Sequence, residues 1–399
     1  MTNVNRRAAL RSFATLLAGS PLLAQRDLPY VAEQLTALAD ITNVFEMEPL
    51  CRYRIPKQNY DYIAGGVDSE WSLRRNREAF DKILFRPRML VNTSQMDLST
   101  TLFGEKISSP ILIAPMAAHQ LAHPDGEFAT AKAAAASKTI ICLSSNSSHP
   151  MEKVAEATTA PKWWQLYARE DLDSTRERVE RAVAAGYKAV VWTVDAPYNS
   201  NRERLLRDRV RAQVPNAAGS AAPPAARRRV NPDAPTAAPH PYRLQSILVS
   251  QMDWSHLAQL KSWAKVPVLV KGILTPEDAL LALKHGADGI VVSNHGGRYL
   301  EYAPSTIEVL PEIAQAVNKK LPILIDSGFR RGTDILKALA LGASAVLIGR
   351  PVFWGLGAFG QPGIEKVLQM LETELALAMG LSGKPNLKAI DSTLVRVDR

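Results

Sequence analysis

Gly289-Ile290-Val291-Val292-Ser293-Asn294-His295-Gly296-Gly297-Arg298 is the stretch on which the reading of this chain turns. It opens as a short apolar run rich in β-branched residues, the kind that fills a strand buried on both faces, and it breaks off abruptly into polar residues. Strands of that type belong to parallel sheets covered by helices. Just past the run an imidazole and a guanidinium stand three residues apart. The glycines between them leave room for something flat to approach the backbone. That arrangement suits taking a proton from a substrate whose carboxylate the arginine holds.

The same pattern recurs along the chain. Beyond residue 105, β-rich runs at 111–114, 140–143, 163–166, 189–193, 268–270, 289–292, 323–325 and 345–348 alternate with helical patterns such as 127–137, 173–185, 276–285 and 333–341. Eight strand–helix units predict an α/β fold, a (β/α)8 TIM barrel. The residues at the end of each run matter more. In order, these are Pro115-Met116, Ser144, Gln165 with Tyr167, Thr193 with Asp195, Lys271, Ser293 with His295, Asp326, and Gly349-Arg350. Barrel active sites are assembled at the C-terminal strand ends, so these groups are expected to converge on one rim. Asp326-Ser327-Gly328-Phe329-Arg330-Arg331-Gly332 and Gly349-Arg350-Pro351 combine exposed backbone N–H groups with charge, which predicts a phosphate site in the last two units.

Length and composition set the outer bounds. The chain has 399 residues, 46% of them apolar, and a formal charge of +9. The basic residues cluster at Arg6, Arg7 and Arg11, from Arg202 to Arg211, and at Arg227-Arg228-Arg229. These clusters fall in tails and loops without interleaved aromatics, which argues against nucleic acid and toward a small anionic substrate or an anionic surface. The cysteines, Cys51 and Cys142, have no metal-type spacing, and no metal site is expected. Residues 1–25 differ from the rest: Arg6-Arg7 precedes a modest apolar run, resembling a twin-arginine export signal, with an N-terminal helical tail on a cytoplasmic protein as the alternative. Residues 40–399 form the expected barrel domain, with an N-terminal helical extension. It is interrupted after the fourth strand by a Pro/Ala-rich loop over about 203–244 that is a candidate lid.

Several motifs, in order, carry a resemblance to a known family. They are Tyr60-Asp61-Tyr62-Ile63-Ala64-Gly65-Gly66, Ile113-Ala114-Pro115-Met116-Ala117, Leu121-Ala122-His123-Pro124-Asp125-Gly126-Glu127, Gln165-Leu166-Tyr167, Thr193-Val194-Asp195, Val270-Lys271-Gly272, the His295 motif, and Asp326 to Gly332. The chain resembles the FMN-dependent 2-hydroxy-acid oxidases and dehydrogenases from about residue 42 onward. The turn Pro115 to His119 and Asp326-Ser327-Gly328 are more similar to the lactate oxidase and mandelate dehydrogenase branches than to plant glycolate oxidases.

The resemblance implies oxidation of a small L-2-hydroxy acid to its 2-oxo acid, with electrons passed to oxygen or to a quinone or other carrier, by a homo-oligomer, in the family a tetramer. His295 would take a proton from the substrate and Asp195 would orient it. Tyr62, Arg202 and Arg298 would hold the carboxylate, and Tyr167 would meet the hydroxyl. For FMN, the backbone of Pro115, Met116 and Ala117 would face the ring. Ser144, Gln165, Thr193 and Ser293 would bond ring or ribityl atoms, with Lys271 at the ring's polar edge. Asp326, Ser327, Gly328, Arg330, Gly349 and Arg350 would hold the ribityl–phosphate end. Two positions depart from the pattern: Tyr299 replaces a glutamine, and Asn146 stands where glycolate oxidases place an aromatic. The alternatives are another phosphate-binding barrel, such as a flavin-dependent isomerase, or a catalytically silent flavin binder. The first does not account for an arginine pair beside His295, and the second would tolerate loss of His295 or Asp195, both of which are present.

Overall fold

The computed structural model describes residues 37–168, 171–213 and 252–398. Eight strands, Ile111–Ile113, Ile141–Ser144, Lys162–Leu166, Val190–Thr193, Val268–Ile273, Gly289–Val292, Ile323–Ile325 and Ala345–Ile348, succeed one another around a closed barrel. All neighbours are parallel, and the eighth strand pairs back onto the first at Ile348 and Ile113. The expected barrel is therefore present. Only the fifth strand differs appreciably, running on through Lys271 to Ile273 with a register irregularity between those two residues.

Strand alternation explains where the core ends and the chemistry begins. Leu112, Cys142, Trp163, Val191, Leu269, Val291, Leu324 and Leu347 fill the barrel interior as a core of their own. Their strand neighbours, among them Ile113, Trp164, Val190, Val270, Ile290 and Val346, face outward into the larger core shared with the helices. Successive side chains change faces, so the residue two positions beyond each interior residue faces inward again. Those residues are Ala114, Ser144, Gln165, Thr193, Lys271, Ser293, Asp326 and Gly349. The apolar plug thus gives way, one layer up, to a mostly polar ring. The other end is closed by a hairpin of Thr100–Leu102 and Glu105–Ile107, whose Phe103 packs edge-on against Trp163 at 5.6 Å.

The helices Gly126–Ala136, Leu172–Ala184, Pro276–Lys284 and Gly332–Ala340 stand where the periodicity places them. Their starts show ordinary capping chemistry: Thr275 accepts from the Asp278 N–H ahead of Pro276, and Asp171 from the N–H groups of Asp173 and Ser174. The N-terminal extension contributes helices Met47–Arg54, Lys57–Ala64 and Trp71–Glu78, then strand Ile83–Phe85, which pairs antiparallel with Val395–Val397 and ties the start of the domain to its end.

One expectation is corrected. The region after the fourth strand does not open as a loop at residue 203: Glu203–Gln213 is a helix. Arg207 pairs with Glu203 one turn back, while Asp208 reaches Lys57 at 3.2 Å and Arg204 reaches Glu70 at 2.6 Å, fastening it to the extension. The Pro/Ala-rich part of the loop and residues 1–25 lie outside the described residues. Among the described residues no helix is long and apolar enough to cross a membrane.

Candidate active site

His295 stands on the turn after the sixth strand with φ +58°, a left-handed conformation that only strong local support maintains. That support is visible. Its N–H donates to Ser293 Oγ at 3.0 Å, Gly296 N–H to Ser327 Oγ at 3.0 Å, and Gly297 N–H to Asn294 Oδ1 at 3.1 Å. Asn294 is in turn held by reciprocal amide bonds with Asn76, at 2.8 and 2.9 Å. Asn294 was not among the residues singled out from sequence; its partner is on a distant helix, so nothing local signals its role.

Asp195, from the turn after the fourth strand, accepts from His295 Nδ1 at 2.8 Å. Gly272 makes the approach possible, since a Cβ there would lie 2.6 Å from Asp195 Cβ. With Nδ1–H committed to the carboxylate, Nε2 carries the lone pair. The Tyr167 hydroxyl lies 3.3 Å from that nitrogen. Burial depresses the pKa of His295, and Lys271 adds to this, outweighing the opposing pull of Asp195. Burial pushes Asp195 upward, but His295 and Lys271 together bring it below the usual carboxylate value. Burial raises the Tyr167 phenol well above its ordinary value, so it stays protonated. The result is a neutral base against a charged carboxylate and a proton-bearing phenol.

His295 and Tyr167 face a cavity of about 970 Å³, open solvent at its mouth included. Of the residues expected at the site, Tyr62, Pro115, Met116, Ala117, Ser144, Tyr167, Arg202, Lys271, His295, Arg298, Asp326, Ser327, Gly328, Arg330, Gly349 and Arg350 line it. Asp195, Gln165, Thr193 and Ser293 stand just behind. His119 is buried and bonded to Thr130 Oγ1 at 2.8 Å, outside the lining.

Two features of the cavity suit a flat, polar-edged, phosphorylated group. Gln165 Oε1 takes the Ser144 hydroxyl at 3.1 Å, yet Gln165 Nε2 and Thr193 Oγ1 are buried without a partner among the described residues. Buried polar atoms are rarely left so, and a ring with carbonyl and N–H edges would satisfy them. Beside them Lys271 donates to Ser293 Oγ at 2.8 Å and pairs with Asp326 Oδ2 at 3.3 Å. Burial lowers the Lys271 pKa, but Asp326 and Asp195 raise it further, so it stays charged. At the other end are Arg330 and Arg350. Burial, with Arg77 adding repulsion, brings Arg330 down to about 10; burial and the neighbouring arginines hold Arg350 well below the usual guanidinium value. Buried guanidiniums that repel one another call for an anion such as a phosphate.

The arginines have a second employment that the sequence did not disclose. Arg298 donates to the backbone carbonyls of Tyr62, Ile63 and Gly65, at 2.9, 3.3 and 2.8 Å. Arg350 donates to Ile63 and Gly65, and to Gly296, at 3.1, 3.0 and 3.0 Å. Helix Lys57–Ala64 ends here, and its last carbonyls lack helical partners and carry the negative end of the dipole. Two guanidiniums therefore cap the segment that presents Tyr62. Tyr299 also lines the cavity, edge-on to His295 at 4.6 Å. Sequence reading marked it only as a departure, although its position next to Arg298 was a usable signal.

Fold and site together define a barrel oxidoreductase built around a phosphorylated flavin. A family model described as FMN-dependent dehydrogenase matches residues 51–397, and the chain belongs to that family, the FMN-dependent 2-hydroxy-acid oxidases and dehydrogenases. A peroxisomal (S)-2-hydroxyacid oxidase of Arabidopsis thaliana is 45% identical over 90% of this chain and 97% of its own. The glycolate oxidase of Spinacia oleracea is 42% identical over 90% and 96%. Among solved structures, a mandelate oxidase superposes with a TM-score of 0.78 at 34% identity, covering 90% of this chain and 99% of its own. Identity over the matched 90% of the chain is higher to these plant oxidases than to that mandelate oxidase.

Proposed function

We propose that the protein oxidises a small (S)-2-hydroxy acid of the glycolate, lactate or mandelate kind to the 2-oxo acid and passes the electrons to oxygen. The observation that carries this reading is the His295 pair. A neutral Nε2, oriented by Asp195 at 2.8 Å, opens on a cavity that also presents Arg298, Arg202 and Lys271. Such a base needs an acidic partner held by its carboxylate, and the arginines supply the hold.

In this reading His295 takes a proton from the substrate at Nε2 and becomes an imidazolium, which the Asp195 charge stabilises. Tyr167 turns its hydroxyl from Nε2 to the substrate oxygen. Tyr62 and the N–H groups of Arg202 and Arg298 not engaged elsewhere orient the carboxylate. Gln165, Thr193 and Lys271 would hold the ring of FMN, and Arg330, Arg350 and the glycine turns at Gly328 and Gly349 its phosphate. Bound there, FMN supplies the two-electron acceptor that the oxidation needs. Bringing the reacting groups together in a charged cavity supplies the orientation.

Steady-state turnover of a 2-hydroxy-acid panel, with oxygen and with an artificial acceptor, tests the proposal. The yellow protein should bleach under anaerobic substrate and recolour with oxygen; a protein that stays yellow with every acid offered rules it out. Two further parts of the reading rest on sequence. The Arg6-Arg7 pair before an apolar run supports export of the folded protein, which fractionation of cells making the full chain and an Arg6→Lys/Arg7→Lys variant would test. A homo-oligomer is expected by family resemblance, and light scattering measures it.

A further inference from the structure

Arg202 differs from every other cation at the cavity. Arg298, Arg330 and Arg350 are tied to carbonyls, Arg330 also lying over the Trp354 ring at 4.4 Å, and Lys271 faces Asp326. Arg202 has no carboxylate partner among the described residues. Its Nε donates to Ser200 Oγ at 2.9 Å, and its guanidinium lies over two aromatic rings, Tyr62 at 5.8 Å and Tyr299 at 5.6 Å. A ring face attracts a cation without occupying its N–H edge. A carboxylate in the same place would hold Arg202 as firmly but would neutralise it and consume the donors a substrate needs.

Tyr299 is also anchored on its other side. Its ring meets His295 edge-on at 4.6 Å. One side chain thus spans the distance between the base and the unpaired cation. Tyr62 cannot do this alone, because its ring also lies under Arg298, at 5.2 Å.

We propose that Tyr299 is a positioning residue: its ring holds the Arg202 guanidinium without a carboxylate partner, in register with His295, so that a 2-hydroxy acid is gripped by its carboxylate with its reacting carbon at the base. This rests on the substrate class proposed above. Its specific content is that the ring face of Tyr299, and not its hydroxyl, acts through Arg202.

The test uses FMN-loaded full-length protein and oxalate, which offers carboxylates but has no hydrogen to lose. Tyr299→Leu should weaken oxalate binding about tenfold and raise KM about as much, while kcat falls by no more than about threefold. Tyr299→Phe and Tyr299→Trp, which keep a ring face, should bind oxalate within about threefold of wild type. In an Arg202→Met background the leucine change should cost nothing further, because the cation it positions is gone. Wild-type oxalate affinity in Tyr299→Leu, or an equal loss with and without Arg202, overturns the inference. Should the leucine variant fail to retain FMN, the ring-keeping variants decide: a tenfold loss in Tyr299→Phe assigns the effect to the hydroxyl and overturns it. Failure of the functional reading shows separately, as wild-type protein that neither binds oxalate nor turns over any 2-hydroxy acid.

Discussion

His295 works only if it starts neutral, and its surroundings see to that. Burial is the main cause, Lys271 contributes, and Asp195 opposes without prevailing, so the pKa falls below the 6.5 of a free histidine. The protonated ring cannot accept a proton, so kcat/KM should fall as pH drops through that depressed value and be level near neutrality. An acid limb above pH 6.5 would contradict the assignment. Asp195→Asn removes the charge that pulls the pKa up, so the limb should move further down in pH. The rate should fall about 10²–10⁴-fold as the imidazolium loses its counter-charge. His295→Gln should retain yellow FMN and lose turnover by a similar factor. An active His295→Gln protein would mean that another residue is the base.

Elements place these residues by contacts no local sequence window contains. The end of helix Lys57–Ala64 is fixed by Arg298 and Arg350, which come from the sixth and eighth strand ends. Arg350→Met would strip three charge-assisted bonds from that cap, each of a class worth about 1.5–3 kcal/mol. Tyr62 should then lose its fixed position, and both FMN affinity and KM should worsen; flavin-release titration beside KM measures this. Unchanged values of both would show that the cap is dispensable. The fifth strand end offers a sharper probe. Gly272 has φ +115°, and any Cβ there would press on Asp195. Gly272→Ala should therefore reproduce the Asp195→Asn pH shift in milder form while the barrel still melts cooperatively. A normal acid limb in that variant would show that Asp195 tolerates the intrusion.

Across the whole molecule, legibility tracked burial. The barrel strands could be read because they are apolar on both faces and most end in polar residues, as Val291-Val292-Ser293 and Leu324-Ile325-Asp326 do. Which face points inward could not be read from a run such as Ile111-Leu112-Ile113, since both faces are equally apolar; closure of the barrel decides it. Helix Glu203–Gln213 was taken for loop because its supports, Lys57 and Glu70, lie on other elements. The double role of Arg298 was hidden for the same reason: its carbonyl partners are more than 230 residues away. The site as a whole carries Lys271, Arg298, Arg330 and Arg350 against Asp195 and Asp326, an excess of buried positive charge that an anion must offset. The protein stripped of flavin should accordingly be less stable. A ligand at a hundred times its Kd adds about 2.7 kcal/mol to the folded state, enough to move Tm by several degrees. FMN, inorganic phosphate and riboflavin separate the contributions. FMN should raise Tm most, phosphate alone should recover part of the gain, and riboflavin, with the ring but no phosphate, should fall clearly short of FMN. If riboflavin stabilises as well as FMN does, the arginines hold no phosphate, and their burial serves the helix cap alone.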